Sequence, residues 1–257
     1  MLIHSTWTLK ATSTVSLPAS YRIALSKFIH QQADIEFGQE ATPKTTFSGL
    51  LGRTQRADGF ITFYPEEDYQ ISLNGLQAAS AQKIADLQLP KMLEFLGTQF
   101  EVINREDQKT SYEALYHQCV VDQAEPERQL SLSFLSPTAF SQQRTYLPLP
   151  VPTLLFRSWL ERWNHFSTIY LGDQELLAYI ESSVVLSRHR IQTNIFPIHN
   201  SNIGGFTGNI RLSILQRSDP LIAQVTNLLA HYAQFSGTGI KTRLGMGSTI
   251  LTKFERT

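Results

Sequence analysis

A glycine-rich stretch near the C-terminus has residue types and spacing suited to binding phosphate. It reads Gly-Thr-Gly-Ile-Lys-Thr-Arg-Leu-Gly-Met-Gly over residues 237–247. Its glycines are Gly237, Gly239, Gly245 and Gly247. So many glycines disfavour a regular helix or strand and suit backbone that needs positive φ or approaches a ligand closely. Lys241 and Arg243 stand between the two glycine pairs, so exposed amides beside two cations predict contact with a phosphate backbone.

Other interpretations of this glycine loop stay open. The spacing matches neither the dinucleotide-binding fingerprint nor the Walker loop. A plain connector between a helix and a last strand would also accommodate these glycines. An enzyme that uses the loop to hold a free nucleotide is a further alternative, but no acidic metal ligands accompany the loop, so this alternative ranks last.

Composition predicts a globular protein of one large domain or two smaller ones. The chain has 257 residues, of which 42% are hydrophobic and 17% charged, which is typical of a folded chain. The single cysteine, Cys119, excludes a disulfide framework and a thiolate zinc site, and it suits a reducing compartment. Because there is no long apolar run and no signal-peptide pattern, we expect a cytoplasmic protein with no membrane partner.

The charge distribution indicates a polyanion partner, although the net charge is zero. Residues 1–128 carry 11 basic and 16 acidic side chains, a balance of −5. Residues 129–257 carry 11 basic and 6 acidic side chains, a balance of +5. We therefore expect the second half to hold most of such a partner, although an asymmetry of this size also arises by chance.

The first half predicts one α+β domain over residues 1–107. A helix opened by Leu17-Pro18 shows an apolar stripe of Tyr21, Ala24, Leu25 and Phe28. Lys27 and His30 lie away from that stripe. We expect strands at 2–10, 45–51, 60–64, 69–73 and 93–103, and a second helix at 78–87. The strands at 45–51 and 60–64 are predicted to form a hairpin, and the element order is that of a ferredoxin-like fold.

The second half predicts the same order of elements over residues 129–257, after a polar linker at 108–128 that is broken near Pro126. Asp219 and Pro220 are typical of a helix start. We expect strands at 129–134, 179–195, 204–215 and 248–254, and helices at 153–166 and 220–235. The sequence thus predicts two tandem ferredoxin-like (RRM-like) βαββαβ domains.

Five stretches, taken in order, resemble a known family. The C-terminal loop fits the pattern Gly-h-Gly-x5-Gly-h-Gly, with Thr238 and Met246 in the h slots. The other stretches are Thr-Phe-Ser-Gly-Leu-Leu-Gly at 46–52, Phe-Leu-Ser-Pro-Thr-Ala-Phe at 134–140, Leu-Pro-Leu-Pro-Val-Pro at 147–152 leading into 156–164, and Gly-Phe-Thr-Gly at 205–208. Together they resemble the CRISPR repeat-processing endoribonucleases of the RAMP superfamily, and their residues are most similar to those of cyanobacterial members.

The resemblance implies a reaction and its partners. It implies metal-independent cleavage of CRISPR repeat RNA by the ribose 2′-hydroxyl, which leaves a 2′,3′-cyclic phosphate. Such chemistry asks for a base, an acid and positive charge near the scissile phosphate. We expect no cofactor, and the matured guide RNA and other subunits of a CRISPR effector complex are the expected partners. A non-catalytic subunit that caps the guide-RNA hairpin is the alternative.

The resemblance also places the candidate catalytic residues at the end of the first helix. Members commonly keep a catalytic His between the first helix and the second strand, but residues 31–43 contain no His here. His30 stands just before this segment and Lys44 just after it, and Lys27 lies one turn before His30. These three are the catalytic candidates, with a helix-capping histidine and solvated lysines as the ordinary alternatives.

Cations in the second half are the candidate RNA contacts. Lys241 and Arg243 in the glycine loop come first, followed by Arg188 and Arg190. Arg157 and Arg162 on the predicted helix at 153–166 are weaker candidates. Trp159 and Trp163, spaced one helical turn apart, favour core packing over base stacking.

Overall fold

A first sheet and two helices make up most of the first half. The computed structural model describes residues 1–38, 40–122, 125–198 and 201–252. The strands are β1 Leu2–Ala11, β2 Val15–Pro18, β3 Thr45–Phe47, β4 Gln55–Ala57, β5 Phe60–Phe63, β6 Asp68–Gly75, β7 Met92–Phe95 and β8 Thr98–Thr110. The helices are α1 Tyr21–Gln32 and α2 Ala78–Asp86.

The first sheet has the ferredoxin-like strand order with one added edge strand. Its order is β3-β6-β1-β8-β7, and all its pairings are antiparallel. Strand β1 alternates as predicted, because Ser5, Trp7 and Leu9 are buried while the residues between them are half-buried. Tyr21, Leu25 and Ile29 of α1 are buried in the same core.

Strand pairing in this half differs from the prediction. The turn at Asp58-Gly59 is a hairpin turn with positive φ at both residues, but it joins β4 to β5 rather than 45–51 to 60–64. These two strands form a separate small sheet in the order β2-β5-β4. Strand β3 instead pairs with β6. The other edge of β6 is hydrogen-bonded to β1. The stretch predicted as a short strand at 69–73 is therefore central to the sheet.

Two further predictions for this half were wrong in detail. Pro18 ends β2 and does not begin α1, which starts at Tyr21 after Ser20. Ala24, which was expected in the core, is exposed, and Ile29 is buried there instead. The strand predicted at 93–103 is a hairpin of β7 and β8, because Leu96 and Gly97 adopt positive φ and reverse the chain.

The second half contains a second sheet with the same strand order. Its strands are β9 Gln129–Thr138, β10 Phe140–Gln142, β11 Thr145–Leu147, β12 Val184–Ile198, β13 Ser201–Ile214 and β14 Thr249–Thr252. Its helices are α3 Tyr112–Tyr116 (continued by a π-helical turn, His117–Val121), α4 Pro152–Phe166, α5 Gln174–Ser183 and α6 Pro220–Ser236. The order β12-β13-β9-β14 is antiparallel throughout. The prediction of two tandem ferredoxin-like units is confirmed.

The second half departs from the prediction at its linker and at one strand. The segment at 108–128 is not a polar loop, because β8 runs to Thr110 and Tyr112, Leu115 and Cys119 are buried against the second core. The domain boundary placed there stays a prediction. Residues 179–183 belong to α5, and the strand begins at Val184. The last strand was predicted to reach 254, and residues 253 and 254 lie outside the described residues.

The two halves meet where α6 ends against the open face of the first sheet. Thr46 Oγ1 donates to the Phe235 carbonyl at 2.9 Å. Asn74 Nδ2 donates to the carbonyls of Phe235 and Gln234, both at 3.1 Å. These bonds satisfy carbonyls that the end of a helix leaves without partners. The end of α6, directly before the glycine loop, is thereby fixed to the first half.

Candidate functional site

The glycine loop begins where α6 stops. Asp219 caps the start of α6 by accepting from the Leu221 amide at 2.8 Å, as predicted. At the other end Gly237 adopts a φ of 62° and its amide donates to the Ala233 carbonyl. Positive φ here turns the chain out of the helix at low cost only for glycine.

The glycines serve close contacts of backbone with backbone. A Cβ added at Gly239 would lie 2.2 Å from the Ala139 carbonyl oxygen, and one at Gly247 would lie 2.0 Å from the Thr238 carbonyl oxygen. Both residues also have positive φ, as Gly245 does. The glycines therefore let the loop lie against Ala139, which follows β9, and against itself, whereas the sequence left open an approach to a ligand.

Most of the loop amides are already bonded within the protein. The amides of Thr238, Ile240 and Gly247 donate to backbone carbonyls at 2.8, 3.0 and 3.0 Å. The Gly239 amide donates to Ser158 Oγ at 2.8 Å. The expectation that a row of exposed amides cradles phosphate is therefore wrong for these residues. What the loop offers to a ligand is the side chains of Lys241 and Arg243.

Helix α4 holds the loop from below through a buried arginine. Arg162 is 9% exposed and donates to the carbonyls of Gly237 at 3.1 Å and Gly239 at 2.5 Å. Trp159 is fully buried and donates to Thr238 Oγ1 at 2.9 Å. The guanidinium of Arg162 is thus occupied within the protein, which corrects the expectation that it contacts RNA. The predicted core position of Trp159 and Trp163 is confirmed.

The first half holds the loop from the other side. Ser26 Oγ on α1 donates to the Arg243 carbonyl at 2.5 Å. The Arg243 guanidinium lies over the Phe37 ring, 4.8 Å from its centroid, and its Nη1 is 3.0 Å from Glu40 Oε2. Lys44 Nζ is 3.6 Å from Glu40 Oε1. We call Lys44, Arg243 and Glu40 the charged cluster.

A cleft of about 890 Å³ opens beside this cluster. Its walls come from residues 40–43, the β10–β11 hairpin, α4 and the glycine loop. The basic side chains that line it are Arg157, Arg162, Lys241 and Arg243. Lys241 is exposed and adopts a φ of 54° at the start of a 3₁₀ turn, Thr242–Leu244. The volume is in the range of ligand-binding clefts.

His30 lies beneath the charged cluster and is fully buried. Its Nδ1–H donates to the Ser26 carbonyl at 2.7 Å, so Nε2 accepts from Thr45 Oγ1 at 2.7 Å. Burial lowers the pKa of His30 to about 4, and the charges of Arg243 and Lys44 add to this effect while the bond to Ser26 opposes it. The imidazole is therefore neutral near pH 7.

This geometry corrects the sequence expectation for His30, which placed it away from the core. Both ring nitrogens are occupied and no part of the ring is exposed, so in this conformation it cannot exchange a proton with RNA. Its bond to Thr45 instead fixes the residue next to Lys44. Ser26 lies four residues before His30 on the same helix face, and this spacing could have suggested a buried polar pair.

The other candidates are placed apart from one another. Lys44 is part of the charged cluster, with its side chain 31% exposed. Lys27 is exposed and lines a separate groove with Asp34 and Lys83. Arg188 and Arg190 are exposed on β12, an edge strand of the second sheet, where Arg188 pairs with Arg211. The structure therefore joins Lys44 to Arg243 through Glu40, and Lys241 lines the same cleft as Arg243. Lys27, Arg188 and Arg190 belong to neither group.

Sequence reasoning missed Glu40, Phe37 and Ser26, which tie the loop to the first half. They occupy a loop and a helix face in the first half, more than 200 positions from Arg243. A single sequence gives no signal for pairings of that separation.

Within the described ranges, no helix is long and apolar enough to cross a membrane. In the same part of the chain, no three His, Cys, Asp or Glu side chains group closely enough to hold a metal ion.

Two ferredoxin-like units with a glycine loop near the end of the chain make up the fold. Residues 132–249 match the family model of the CRISPR-associated endoribonuclease Cas6. Curated relatives of that name are 27% identical over 69% of this chain in Streptococcus thermophilus and 33% identical over 49% in Mycobacterium tuberculosis. Over these stretches the chain is similar to CRISPR repeat-processing endoribonucleases. The matches cover 63% and 40% of those relatives' lengths.

Solved structures share the fold across nearly the whole chain. Thermus thermophilus Cas6 aligns with a TM-score of 0.73 at 20% identity, covering 98% of both chains. A Cas6 product complex gives a TM-score of 0.71 at 19% identity, covering 98% of this chain and all of that one. The protein of a Cas6-related gene from Pyrococcus furiosus gives 0.65 at 14% identity, with 99% and 100% covered. The similarity to cyanobacterial members stays a prediction.

We predict that Gly239→Ala destabilises the protein far more than Gly59→Ala does. Both glycines have positive φ, but nothing lies within 4 Å of a Cβ at Gly59, so this variant isolates the backbone cost. The contact with the Ala139 carbonyl should add about 1–3 kcal/mol to the loss at Gly239. Urea unfolding of the two variants measures the difference. Equal losses would show that the loop can move away from Ala139.

We predict that His30 makes stability depend on pH. Its folded pKa of about 4 lies below the ordinary value of 6.5, so its contribution is complete above pH 6.5 and is lost as pH falls toward 4. The loss should approach about 3 kcal/mol relative to His30→Gln, which keeps a donor and an acceptor without titrating. Unfolding measured from pH 7.5 to 4 tests this. Parallel curves for the two proteins would contradict the burial of a neutral imidazole.

Proposed function

We propose that this chain cuts CRISPR repeat RNA within its precursor transcript to give guide RNA. The reaction is metal-independent attack of a ribose 2′-hydroxyl on the adjacent phosphate, and it leaves a 2′,3′-cyclic phosphate and a 5′-hydroxyl. Similarity to curated Cas6 endoribonucleases supports this proposal, as does the name of one solved structure of the same fold, a Cas6 product complex. In this proposal the product guide RNA stays bound and enters an effector complex with other subunits.

The observation that carries the proposal is that cations from both halves meet around one cleft. Lys241 and Arg243 of the second half line the cleft. Lys44 of the first half stands beside it, paired with the cleft residue Glu40. Fixed cations stabilise the charge that develops on a pentacoordinate phosphorus. The planar guanidinium of Arg243 suits two phosphate oxygens, whereas Lys44 acts as a point charge and proton donor.

In this proposal the residues at the end of α1 have different tasks. Lys44 contacts the scissile phosphate. His30 is a positioning residue, because its Nε2 accepts from Thr45 and so orders the backbone that carries Lys44. Lys27 is the weakest candidate, because it faces another groove. Arg188 and Arg190 would bind phosphates of the same RNA farther along the second sheet.

A second function is favoured by one observation, the complete burial of His30. Without an accessible imidazole, the protein could bind the guide-RNA hairpin as a non-catalytic subunit. The cations of the cleft would then contribute affinity only. The two functions differ in whether the phosphodiester bond breaks.

We predict that the wild-type protein cleaves repeat RNA in excess EDTA at a single site. RNA that copurifies with the protein is sequenced to define the repeat, and a synthetic copy is then incubated with the protein. The product ends should be a 2′,3′-cyclic phosphate and a 5′-hydroxyl, and a copy with 2′-deoxyribose at the cleavage site is the control. Tight binding without cleavage would favour the second function. Absence of both would overturn the proposal.

We predict that Lys241→Ala lowers the salt dependence of repeat-RNA binding. Lys241 is exposed and lines the cleft, so its loss should reduce the slope of log K against log salt by roughly 0.7 for one single-stranded phosphate contact. The matched control is Lys91→Ala, whose side chain is 81% exposed away from the cleft. Binding isotherms at several salt concentrations measure both slopes. An unchanged slope for Lys241→Ala would contradict its contact with RNA.

A further inference from the structure

The proposed cleavage needs a proton acceptor for the 2′-hydroxyl, and the expected one is not accessible. His30 has both ring nitrogens bonded within the protein and no exposed surface. Lysine and arginine are protonated near neutral pH and cannot accept. Among the described residues that line the cleft, the groups able to accept a proton at that pH are the carboxylates of Glu40 and Glu161.

Glu40 is the carboxylate that stands between the two cations. Its Oε2 is 3.0 Å from Arg243 Nη1 and its Oε1 is 3.6 Å from Lys44 Nζ, while its side chain stays 43% exposed. A Cβ added at Gly38 would lie 2.5 Å from both carboxylate oxygens, so the absence of a side chain there leaves room for the carboxylate. The loop geometry thus fixes an open carboxylate at the proposed phosphate site.

Glu40 is ionised beside its two cations, so it is able to accept a proton, although the same cations make it a weaker base. A hydrogen bond from its own backbone amide lowers the pKa of Glu40, and the charges of Lys44 and Arg243 lower it further. The carboxylate is therefore ionised at neutral pH. Lys44 carries three N–H donors and Arg243 carries five, so both cations can bind phosphate oxygens while Glu40 remains in place.

We propose that Glu40 is the general base of the cleavage, an inference that rests on the proposed function. The Glu40 carboxylate takes the proton of the 2′-hydroxyl, and the 2′-oxygen forms a bond to phosphorus. The bond from phosphorus to the 5′-oxygen breaks, and this oxygen takes a proton from the Lys44 ammonium. Arg243 keeps its proton and stabilises the phosphorane. Solvent then returns a proton to Lys44 and removes one from Glu40, which restores the site.

Single-turnover cleavage with protein in excess tests this role. Glu40→Gln keeps the shape but cannot accept a proton, so the rate should fall by about 10²–10⁴. Affinity for the repeat RNA should stay within a few-fold or increase, because a negative charge near phosphate is removed. Glu36→Gln is the matched control, since Glu36 is an exposed acid four positions away that lines the groove of Lys27. Its rate should match that of the wild type.

Chemical rescue separates a base from a structural carboxylate. Glu40→Gly leaves a space in which added formate should restore part of the rate, whereas chloride at the same ionic strength should not. A Glu40→Gln protein that cuts at the wild-type rate would overturn the proposal and leave Glu40 as a counter-ion. Loss of RNA binding in Glu40→Gln, or no rescue of Glu40→Gly by formate, would also overturn it and assign Glu40 to holding Arg243.

The outcomes also distinguish this inference from the proposed function. If the wild type cuts and Glu40→Gln cuts equally well, the function stands and the base lies elsewhere. If the wild type binds repeat RNA without cutting it, the proposed function fails and the role of Glu40 as a base fails with it.

Discussion

The site depends on the buried guanidinium of Arg162 beneath the glycine loop. This cation has carbonyl and hydroxyl partners from Gly237, Gly239 and Ser158. A buried charge is costly unless its hydrogen bonds are made, so the loop and the arginine stabilise each other only in this arrangement. The carbonyls that bind Arg162 point inward because the glycines adopt positive φ. The side chains of Lys241 and Arg243 are thereby left to the cleft.

The same constraint explains why the site is shared by the two halves. The loop leaves α6 at the point where Thr46 and Asn74 bind the last carbonyls of that helix. Ser26 then binds the Arg243 carbonyl. These anchors hold Arg243 beside Phe37 and Glu40 of the first half. The charge imbalance between the halves describes composition, whereas this site takes its cations from both.

The sequence could predict what is set by short-range patterns. Alternation in β1, the cap and proline that begin α6, and the glycine spacing all gave correct elements because their causes lie within a few residues. Pairing was harder. The strand β3 has only three residues. It pairs with the edge of β6 that β1 leaves open, and not with the strand that follows the turn at Asp58-Gly59.

The candidate site shows the same division. Lys44, Lys241 and Arg243 were found because their residue types suit phosphate and the family pattern singles out their positions. The burial of His30 and Arg162 could not be predicted, because a polar side chain on a helix is ordinarily exposed. Here the burial of His30 depends on Thr45, and the burial of Arg162 depends on carbonyls of the glycine loop, which lie far along the chain.

Burial of an imidazole beside two cations limits what chemistry the site can use. Protonation of His30 would place a third positive charge near Lys44 and Arg243 without water to screen it. A neutral His30 is therefore the stable partner for a cluster that must attract phosphate. The base then has to be a group that RNA can reach, and the Glu40 carboxylate is exposed whereas the His30 imidazole is buried. The burial of His30 is thus the reason that proton transfer falls to Glu40 in our proposal.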